Sequence, residues 1–502
     1  MKNAVFTIFG NLVGLAIDGE PSIPKNIKSL IEPQLTYTFQ KRLFGVDRFD
    51  PNTGHKRDFL FQERKLYKYD ASNRMCFCIG FIERVSDIVK KAGYTVKYVD
   101  ISPKLPRKNC YKPVWDNIAD MSFKAKQDVA VASVAAHHRG VIVAPPAFGK
   151  SFMLLFICKL FPHAKIDIIT KRKDIVLKTV RFLTKYIPSI GQVGGGKNSY
   201  SRVTVFTADS LHKSKFDADI ILVDEAHELM ADSYASQLSK YRHARAYAFT
   251  ATPKGRKDGT DARLESIFGK TIFYMSYQEA EALGVVTPIF IDWLDIQISP
   301  NPCAGKSDVP KRRWGLWRNN VRNSIIASHL TKNYKEEQVL VLVDTIEHAL
   351  YLRKYLPDYS LCYAENGITD EEHEFYVKQK LMDKDEVIID ADIREQLRQD
   401  FESGKLKKVI ATGVWSTGVD FVNLQVLVRA DGSDGEIIDF QAPGRVCRIS
   451  STKQYGIVVD CRDQFDPGLH RKAKKREKNY KAKGWKNISP KMLKEKSGEQ
   501  EK

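Results

Sequence analysis

Two short groups of residues in this sequence have the side chains that phosphate chemistry requires. The first is an eight-residue loop between an apolar run at 140–143 and a helical-looking apolar run at 152–157. Backbone N–H groups at the start of a helix can bind phosphates, and Lys150 adds a positive charge. The loop therefore predicts a phosphate-binding site, in a G-x-x-x-x-G-K-S pattern whose first glycine is replaced. Its residues are Ala144, Pro145, Pro146, Ala147, Phe148, Gly149, Lys150 and Ser151.

The second group is a pair of carboxylates, Asp224 and Glu225, which follow the apolar run at 220–223. A strand that ends there would place both at the carboxyl edge of a parallel sheet, where the phosphate loop is also expected. In that geometry Ser151 and Asp224 would hold Mg²⁺, and Glu225 would polarise the attacking water. The spacing therefore predicts a Mg²⁺–ATP site.

A third group lies near the end of the chain, at 441–448. Arg445 and Arg448 stand three residues apart and would share one helix face if the segment is helical. Such a pair could stabilise the charge that develops on a γ-phosphate in the transition state. An ordinary surface pair is the alternative that the segment by itself leaves open.

Apolar strands alternate with amphipathic helices in two series, which predicts an α/β chain with two tandem parallel-sheet domains. We place their boundaries at 106–282 and 283–465. The strands of the first series are expected at 141–144, 166–170, 203–207, 220–224 and 246–250. Those of the second are expected near 289 and at 339–344, 361–364, 409–412, 425–429 and 456–460.

Residues 1–105 predict a small α+β domain, with a strand pair at 4–17 and a helix at 80–91 that stops before Gly93. Its middle mixes aromatic and basic residues around a turn at 51–54, as suits contact with a nucleic-acid backbone and stacking on bases. The alternative is that the aromatic residues form the core of the domain. The residues concerned are Tyr37, Phe39, Lys41, Arg42, Phe44, Arg48, Phe49, Lys56, Arg57, Phe59, Phe61, Arg64, Lys65, Tyr67 and Lys68.

Three further segments differ in composition from the rest. Residues 301–320 contain Pro302, Gly305 and Pro310 and are expected to form a loop, whereas the acidic stretch 369–392 is expected to carry a helix. From 471 to 496 there are 12 Lys or Arg against two Glu, which is typical of a solvated or disordered arm that could add affinity for nucleic acid. We assign 466–502 to this basic tail.

Composition limits the class of protein. At 502 residues the chain is multidomain, and its apolar runs are far shorter than the roughly 20 residues of a membrane span. The apolar stretch near the start lacks the features of a signal peptide. Eight cysteines without a C-x-x-C pair predict reduced thiols, rather than a zinc site, and hence a cytoplasmic protein. A net charge of +19 predicts a polyanionic partner.

Taken together, the motifs resemble those of the superfamily 2 helicases over about residues 120–465. Residues 144–151 resemble motif I, 224–227 the DEAH box of motif II, and 250–253 motif III. Motifs IV, V and VI are matched at 341–345, 411–420 and 441–448, and Gln127 resembles the adenine-reading glutamine upstream of the phosphate loop.

This resemblance implies two RecA-like domains, ATP and Mg²⁺ as cofactors, and a role for each matched residue. Residues 144–151 would bind the phosphates, with Gln127, Gly418 and Asp420 also near the nucleotide. Arg445 and Arg448 would act as arginine fingers and Gln441 would lie near the γ-phosphate. The residues expected to couple nucleotide state to the strand are His227, Thr250 and Thr252. Those expected to contact nucleic acid are Thr170, Lys171, Thr207, Thr345 and Thr412.

Within the superfamily the chain is similar to phage recombination helicases of the UvsW type, which drive fork regression and branch migration in replication, recombination and repair. We therefore expect a monomer in the cytoplasm of a bacterial host, acting on forked or branched DNA beside replication or recombination proteins. An RNA helicase, or a double-stranded DNA translocase that does not separate strands, is the alternative. A binding protein with a degenerate nucleotide site is a third, which the replaced glycine at Ala144 favours slightly.

Overall fold

The computed structural model of the protein describes residues 2–42, 59–102, 110–252, 261–364, 367–415, 421–450, 453–490 and 492. Two compact units are present: residues 1–144 with 149–275, and residues 145–148 with 276–502. The expected α/β architecture, with two RecA-like parallel-sheet domains and a small N-terminal α+β region, is confirmed.

The N-terminal region of the first unit is built on a five-stranded sheet in the order β5-β6-β2-β1-β7. The predicted strand pair and helix are both present as β1–β2 and α2, and Gly93 follows the helix with φ of 89°. A left-handed backbone at that position favours glycine and ends the helix. The elements are β1 Asn3–Phe9, β2 Leu12–Ile17, α1 Lys25–Ile31, β3 Thr36–Arg42, β4 Phe59–Lys65, β5 Tyr67–Tyr69, β6 Met75–Cys78, α2 Ile82–Lys91 and β7 Thr95–Asp100.

The aromatic and basic segment forms a separate two-stranded antiparallel ribbon, β3 paired with β4. Phe61 is 66% exposed, and Phe39 lies outside the apolar core of the region, with the Arg64 guanidinium 5.3 Å from its ring centre. Of the aromatic residues beyond the ribbon, Tyr67 packs against that core. The expected turn at 51–54, with Phe44, Arg48, Phe49, Lys56 and Arg57, lies outside the described residues.

The first RecA-like sheet has eight strands in the order β11-β10-β12-β9-β13-β14-β8-β15. All five strands predicted for it are present, and their near-continuous apolar sequences agree with burial on both faces. The elements are α3 Gln127–Ala136, β8 Arg139–Val143, α4 Lys150–Leu160, β9 Ile166–Thr170, α5 Lys173–Leu183, β10 Ile190–Gly194, β11 Lys197–Ser199, β12 Val203–Thr207, β13 Ile220–Asp224, α6 Asp232–Leu238, β14 Arg245–Thr250, α7 Asp261–Phe268 and β15 Thr271–Tyr274.

Within the first unit, the N-terminal region is held against helix α7. A Cβ atom on Gly80 would lie 1.9 Å from the Glu265 carbonyl oxygen, so only glycine permits this approach. Arg84 forms an ion pair with the Glu265 carboxylate, and Lys270 Nζ lies 2.8 Å from Glu83. The ribbon has its own contact, because Arg64 Nη1 lies 2.5 Å from Asp232 Oδ1.

The second RecA-like sheet lies in the second unit and has seven strands, all parallel, in the order β18-β19-β17-β20-β21-β16-β22. Every strand predicted for it is present. The elements are α8 Tyr277–Ala282, β16 Ile289–Ile296, α9 Asp308–Arg312, α10 Asn320–Asn333, β17 Val339–Leu342, α11 Ile346–Arg353, β18 Ser360–Cys362, α12 Asp370–Lys378, α13 Ala391–Glu402, β19 Lys408–Ala411, β20 Val426–Arg429, α14 Glu436–Gln441, β21 Gly456–Asp463, α15 Pro467–Ala482 and β22 Lys486–Asn487.

The expected loop at 301–320 is wrong in part, because the segment contains helix α9 and a π-helical turn at Arg313–Trp317. Leu316 and Trp317 are buried against Leu469, and a Cβ on Gly315 would lie 3.1 Å from Cys303 Sγ. Packing therefore orders a segment whose prolines and glycine indicate a loop. The acidic stretch carries the expected helix, α12, which begins with a capping box of Thr369 and Glu372.

The expected disordered arm is also wrong for residues 467–487, which form helix α15 and strand β22. Arg476 Nη2 lies 2.9 Å from Asp460 Oδ1 on β21, and both side chains are fully buried. Tyr480 donates its hydroxyl to the other oxygen of Asp460 at 2.7 Å. Strand β22 then pairs with β16, so that this basic segment completes the second sheet.

All eight cysteines are free thiols, and Cys76 and Cys78 share one half-buried face of β6. No helix in the described part of the chain has the length and apolar character to cross a bilayer.

Candidate active site

The phosphate loop connects β8 to α4, as the sequence pattern predicts. Gly149 has φ of 91° and Ala147 has φ of 68°, so the loop turns through two left-handed positions before the helix begins at Lys150. Gly149 meets a second restriction, since a Cβ there would lie 2.6 Å from Gln127 Nε2. Glycine is therefore required at 149 both by the left-handed backbone conformation and by the close approach of Gln127. Ala144, at the replaced glycine position, is buried just after β8.

Gln127 is the first residue of α3 and is 1% exposed. Its Oε1 atom accepts a hydrogen bond from the backbone N–H of Lys124 at 2.8 Å. The side chain is thereby held beside the phosphate loop, where the expected adenine-reading glutamine belongs. The reading of adenine itself stays a prediction.

Asp224 and Glu225 lie at the carboxyl end of β13. This strand pairs with β14, and β14 in turn pairs with β8, the strand that leads into the phosphate loop. The Lys150 ammonium group bonds to Glu225 Oε1 and lies 3.8 Å from Asp224 Oδ1. Motifs I and II are therefore brought together at one edge of the first sheet. Burial raises the pKa of Asp224 above its ordinary value; Lys150 opposes this, and the Glu225 carboxylate adds to it.

The second carboxylate oxygen of Glu225 has an unusual environment. Glu225 Oε2 is buried and accepts no hydrogen bond from the described residues, and the His227 Nδ1 atom lies 3.5 Å away. A buried carboxylate oxygen without a donor is costly unless it binds a proton donor during function. Such an oxygen is well suited to accept a hydrogen bond from a water molecule and to act as a general base.

A buried chain of hydrogen bonds leads from motif II to motif III. His227 Nδ1 lies 3.0 Å from Thr250 Oγ1, and the same hydroxyl accepts from the backbone N–H of Thr252 at 3.1 Å. Thr250 ends β14, so the carboxylate cluster and a neighbouring strand end are joined through one hydroxyl group. Pro253, the last residue of motif III, lies outside the described residues.

The donors at this edge can be tested for their fit to a metal ion. Ser151 is the second residue of α4 and Asp224 ends β13, and a hydroxyl with a carboxylate is a donor set that Mg²⁺ prefers. In the described part of the chain, no cluster of three or more His, Cys, Asp or Glu could form a metal site by itself. The residues therefore fit a Mg²⁺ ion whose other ligands are water and nucleotide phosphates. They do not fit a closed protein metal site.

In the second unit, residues from motifs IV, V and VI meet at the carboxyl edge of the second sheet. They line a cavity of about 160 Å³. The polar motif residues and the motif glycine on its wall are Asp344, Thr412, Gly413 and Gln441. Gly418 and Asp420, the expected nucleotide contacts at the end of motif V, lie outside the described residues.

Motif VI has a different local structure from the one its spacing suggests. Gln441 ends α14, Arg445 lies in a 3₁₀-helix at Pro443–Cys447, and Arg448 follows in extended conformation with ψ of 137°. The expectation that both arginines share one helix face is therefore wrong, because the helix ends between them. Their role as arginine fingers stays a prediction.

The five expected nucleic-acid contacts have different environments. The Thr170 hydroxyl is buried and makes no hydrogen bond with the residues that the structure describes, whereas Lys171 is exposed just after β9. Thr207 donates to Ser210 Oγ at 2.8 Å, and Thr345 caps α11 by accepting from the His348 N–H. Thr412 is nearly buried on the cavity wall. At the end of β9, Thr170 and Lys171 thus carry a hydroxyl and a charge that are not engaged in a hydrogen bond or ion pair among the described residues.

Sequence reasoning missed a group of charged residues around the cavity of the second unit. Asp344 accepts from Trp317 Nε1 at 2.9 Å and pairs with Arg312 at 2.6 Å. Arg429 is 1% exposed and pairs with Asp431 at 3.0 Å and with Asp439 at 2.8 Å. A signal for it was present, since Arg429 directly ends an apolar strand.

Asp439 connects this group to helix α15. It lies on α14, the helix that ends at Gln441, and accepts a hydrogen bond from Asn479 Nδ2 at 2.7 Å. The next residue of α14, Phe440, stacks on Trp485 with ring centres 6.0 Å apart. The basic C-terminal segment thus holds the helix that leads into motif VI.

Two family models match separate parts of the chain. Residues 115–255 match the family model described as "Type III restriction enzyme, res subunit", and residues 321–450 match "Helicase conserved C-terminal domain". Together the two models cover more than half of the chain. The first includes the phosphate loop and the acidic pair, and the second includes motifs IV to VI.

Two curated relatives are similar over most of their length. The "DNA 3'-5' translocase XPB2" of Sulfurisphaera tokodaii is 23% identical over 69% of this chain and 83% of its own. The "Probable helicase D10" of Escherichia phage T5 is 25% identical over 70% of this chain and 73% of its own.

Two solved structures are similar to this chain. Yeast (S. cerevisiae) Dbp5, solved with RNA and ADP BeF3, superposes with a TM-score of 0.51 at 13% identity, over 76% of this chain and 95% of that one. UvsW of phage T4 aligns over 97% of this chain and all of that one, at 17% identity and a TM-score of 0.40.

Proposed function

We propose that this chain, which belongs to the superfamily 2 helicases, uses ATP hydrolysis to move along DNA and to remodel forked or branched DNA by fork regression and branch migration. The observation that carries the motor part of the proposal is the meeting of Lys150, Asp224 and Glu225 at one sheet edge, with a buried oxygen of Glu225 left to accept a hydrogen bond.

Each residue of this edge has a proposed task in hydrolysis. The N–H groups of the phosphate loop and the Lys150 ammonium bind the phosphates of ATP. Ser151 and Asp224 are the proposed ligands of Mg²⁺, which when bound neutralises phosphate charge and orients the γ-phosphate for in-line attack. Glu225 Oε2 accepts a hydrogen bond from the attacking water and so increases its nucleophilicity.

Lys150 must exchange partners during the cycle. Its ammonium group bonds to Glu225 and lies near Asp224, and a phosphate competes with these carboxylates for it. When Lys150 turns to the phosphate, Glu225 Oε1 loses its bond to the ammonium group, and the carboxylate is free to accept from the attacking water. ATP binding thereby prepares Glu225 to activate the water molecule that attacks the γ-phosphate.

His227, Thr250 and Thr252 are the proposed route from hydrolysis to movement. Because His227 lies 3.5 Å from Glu225 Oε2 and 3.0 Å from Thr250 Oγ1, a change at the γ-phosphate reaches the end of β14 through one histidine. In the second unit, Gln441, Arg445 and Arg448 are proposed to stabilise the γ-phosphate in the transition state, and Gly418 and Asp420 to lie near the nucleotide. Thr170, Lys171, Thr207, Thr345 and Thr412 are the proposed backbone contacts to the strand.

DNA is the proposed substrate for two reasons. One relative is named a DNA translocase and another a phage helicase, and the chain carries a net charge of +19. Branched DNA is favoured by the similarity of the motor to phage recombination helicases of the UvsW type. The protein is then expected to act as a monomer in the cytoplasm of a phage-infected bacterium, beside replication or recombination proteins.

The second candidate function is translocation along double-stranded DNA without strand separation, which the name of the archaeal relative favours. The deciding experiment compares ATP turnover and product formation on forks, four-way junctions, linear duplex, a triplex and single-stranded RNA. Branch migration of the junctions with strongest stimulation by branched DNA supports the proposal. Triplex displacement without any fork unwinding supports the translocase, and strongest stimulation by RNA contradicts both.

A further inference from the structure

Helix α15 has two opposite faces of very different character. Leu469, Ala473, Arg476 and Tyr480 are buried, and at 100° per residue they fall in an arc of about 60°. Arg471, Lys474, Lys475 and Lys478 are all exposed and fall in an arc of about 100° on the opposite side. We call these last four residues the cationic face. One side of the helix thus packs against the protein, and the opposite side carries exposed positive charge.

The cationic face is poorly neutralised within the protein. Lys475 Nζ lies 3.1 Å from Asp434, but for Arg471, Lys474 and Lys478 the described residues place no carboxylate within 4.0 Å. The pairs 471 with 475 and 474 with 478 put like charges four residues apart. Each such pair of like charges destabilises a helix. A face that only needs to be hydrated gains nothing from this arrangement. A bound polyanion would reduce the repulsion between these like charges.

The face is also held rigidly, which a solvated arm would not be. Arg476 and Tyr480 bind the buried carboxylate of Asp460, and Asn479 binds Asp439. From 471 to 478 the helix rises about 10 Å, and a duplex presents a phosphate of each strand about every 3.4 Å along its axis. The spacing of charges therefore fits a phosphodiester backbone without requiring any base contact.

We propose that the cationic face of α15 is a docking surface for the phosphodiester backbone of nucleic acid, additional to the strand-end contacts of the two sheets. This inference rests on the proposed function, because it places a further part of the DNA on the second unit. The surface supplies affinity and orientation and carries no sequence information, since cations on phosphates do not read bases. Binding to it releases counterions and is therefore strongly dependent on salt.

The test is a triple variant, Arg471→Gln with Lys474→Gln and Lys478→Gln, in the full chain. Its control carries Lys332→Gln, Lys335→Gln and Lys384→Gln, which remove the same charge from exposed lysines that are dispersed over the second unit. Fluorescence anisotropy on a labelled duplex, at several KCl concentrations, measures the slope of log K against log salt. Each lost phosphate contact lowers that slope by about 0.9.

We expect the slope to fall by about 2–3 in the triple variant and by less than one in the control, with affinity at low salt reduced roughly 10- to 100-fold. ATP turnover at saturating DNA should be unchanged, and Arg471→Lys should behave as the wild type. An unchanged slope, or an equal fall in the control, overturns the proposal. So does loss of binding to vesicles of phosphatidylserine with phosphatidylcholine while DNA binding is unaffected, which would assign the face to a membrane surface.

The outcome is separable from that of the proposed function. If DNA fails to stimulate ATP turnover in the wild type, the proposed function fails, and the slope comparison still tests the docking surface. If DNA stimulates the wild type but the triple variant has an unchanged slope, only the docking surface fails.

Discussion

Glu225 adopts a left-handed backbone conformation, with φ and ψ both 47°, which non-glycine residues rarely take. This conformation directs the residue after β13 away from the strand and places its carboxylate beside Lys150. Strain of this kind is retained where the surrounding structure holds it for a purpose. No sequence pattern reveals it, because the same Asp-Glu pair could follow a strand in ordinary extended conformation.

Glu225→Gln preserves the shape of this side chain and removes its charge. We expect ATP turnover to fall at least about 100-fold, since general-base catalysis contributes roughly 10²–10⁴, while the KM for ATP changes little. A coupled ATPase assay measures both quantities. Glu371→Gln, at an exposed site on α12, should leave turnover at the wild-type level. Retained turnover in Glu225→Gln would remove this residue from the mechanism.

Thr250→Val removes the hydroxyl that joins His227 to Thr252. We expect ATP hydrolysis to persist at a reduced rate while fork unwinding falls much further, because the link between the two sites is broken. The number of ATP molecules used per base pair should rise several-fold. Thr250→Ser keeps the hydroxyl and should restore the ratio. Equal losses of hydrolysis and unwinding would show that Thr250 serves only the nucleotide site.

Asp167 lies within β9 and is 2% exposed, with Tyr241 donating to its carboxylate at 2.6 Å and Ser214 at 3.1 Å. Burial raises its pKa to about 6, against an unfolded value near 3.8. Because the folded pKa is the higher one, the charged form is disfavoured by folding. The stability of the first unit should therefore decrease as pH rises from about 4 to about 6, by about 3 kcal/mol.

Asp167→Asn should remove this dependence. The apparent Tm of the variant minus that of the wild type should increase by several degrees between pH 4.5 and pH 7, as thermal melts at each pH would measure. Asp120→Asn, at an exposed site, should give a constant difference. A constant difference for Asp167→Asn as well would mean that the carboxylate is ionised across the whole range.

At the scale of elements, strands were the most predictable feature. The ranges 166–170, 203–207 and 220–224 agree to the residue, because each is a buried run of mainly β-branched or apolar residues, interrupted in the first by Asp167, and each ends at a polar residue. Motifs I, II and III follow such strands, so the first site could be assembled from the sequence.

Helices without an apolar signal were missed. The composition of α15 is that of a disordered arm, and its order depends on Arg476 finding Asp460, sixteen residues earlier in the chain, in the same buried position. The segment at 301–320 is ordered by Trp317, which packs on Leu469 and donates to Asp344. Partners that are distant in sequence cannot be read from local patterns, and single-sequence reasoning therefore fails at these places.

Arg476→Ala tests the contribution of this buried pair. Removing one partner leaves the Asp460 carboxylate buried without its cation, so we expect a loss of about 3–5 kcal/mol in the unfolding free energy of the second unit. Denaturation by urea, followed by tryptophan fluorescence, would measure it. Lys481→Ala removes an exposed charge on the same helix and should cost no more than about 0.5 kcal/mol. Equal effects would contradict a structural role for α15.

At the scale of the whole molecule, the net charge of +19 leads to a prediction about binding. If six or more cations contact phosphates, affinity for duplex DNA should fall at least about 1,000-fold between 50 and 200 mM salt. Titrations of a labelled duplex would measure this fall. The KM for ATP should change far less over the same range. A salt-independent affinity would mean that the positive charge of the chain serves another purpose.

The pairing of β16 has a consequence for how the chain is made. Ile289 is paired with Gly456 and Phe290 with Lys486. This strand therefore has neither of these partners until much later in translation. At about 5–20 residues per second, that delay is roughly 10–40 s. The first RecA-like sheet needs nothing beyond residue 274 and can close well before this time. Nascent chains therefore expose the apolar strand β16 throughout this interval, which makes them natural clients for ribosome-associated chaperones.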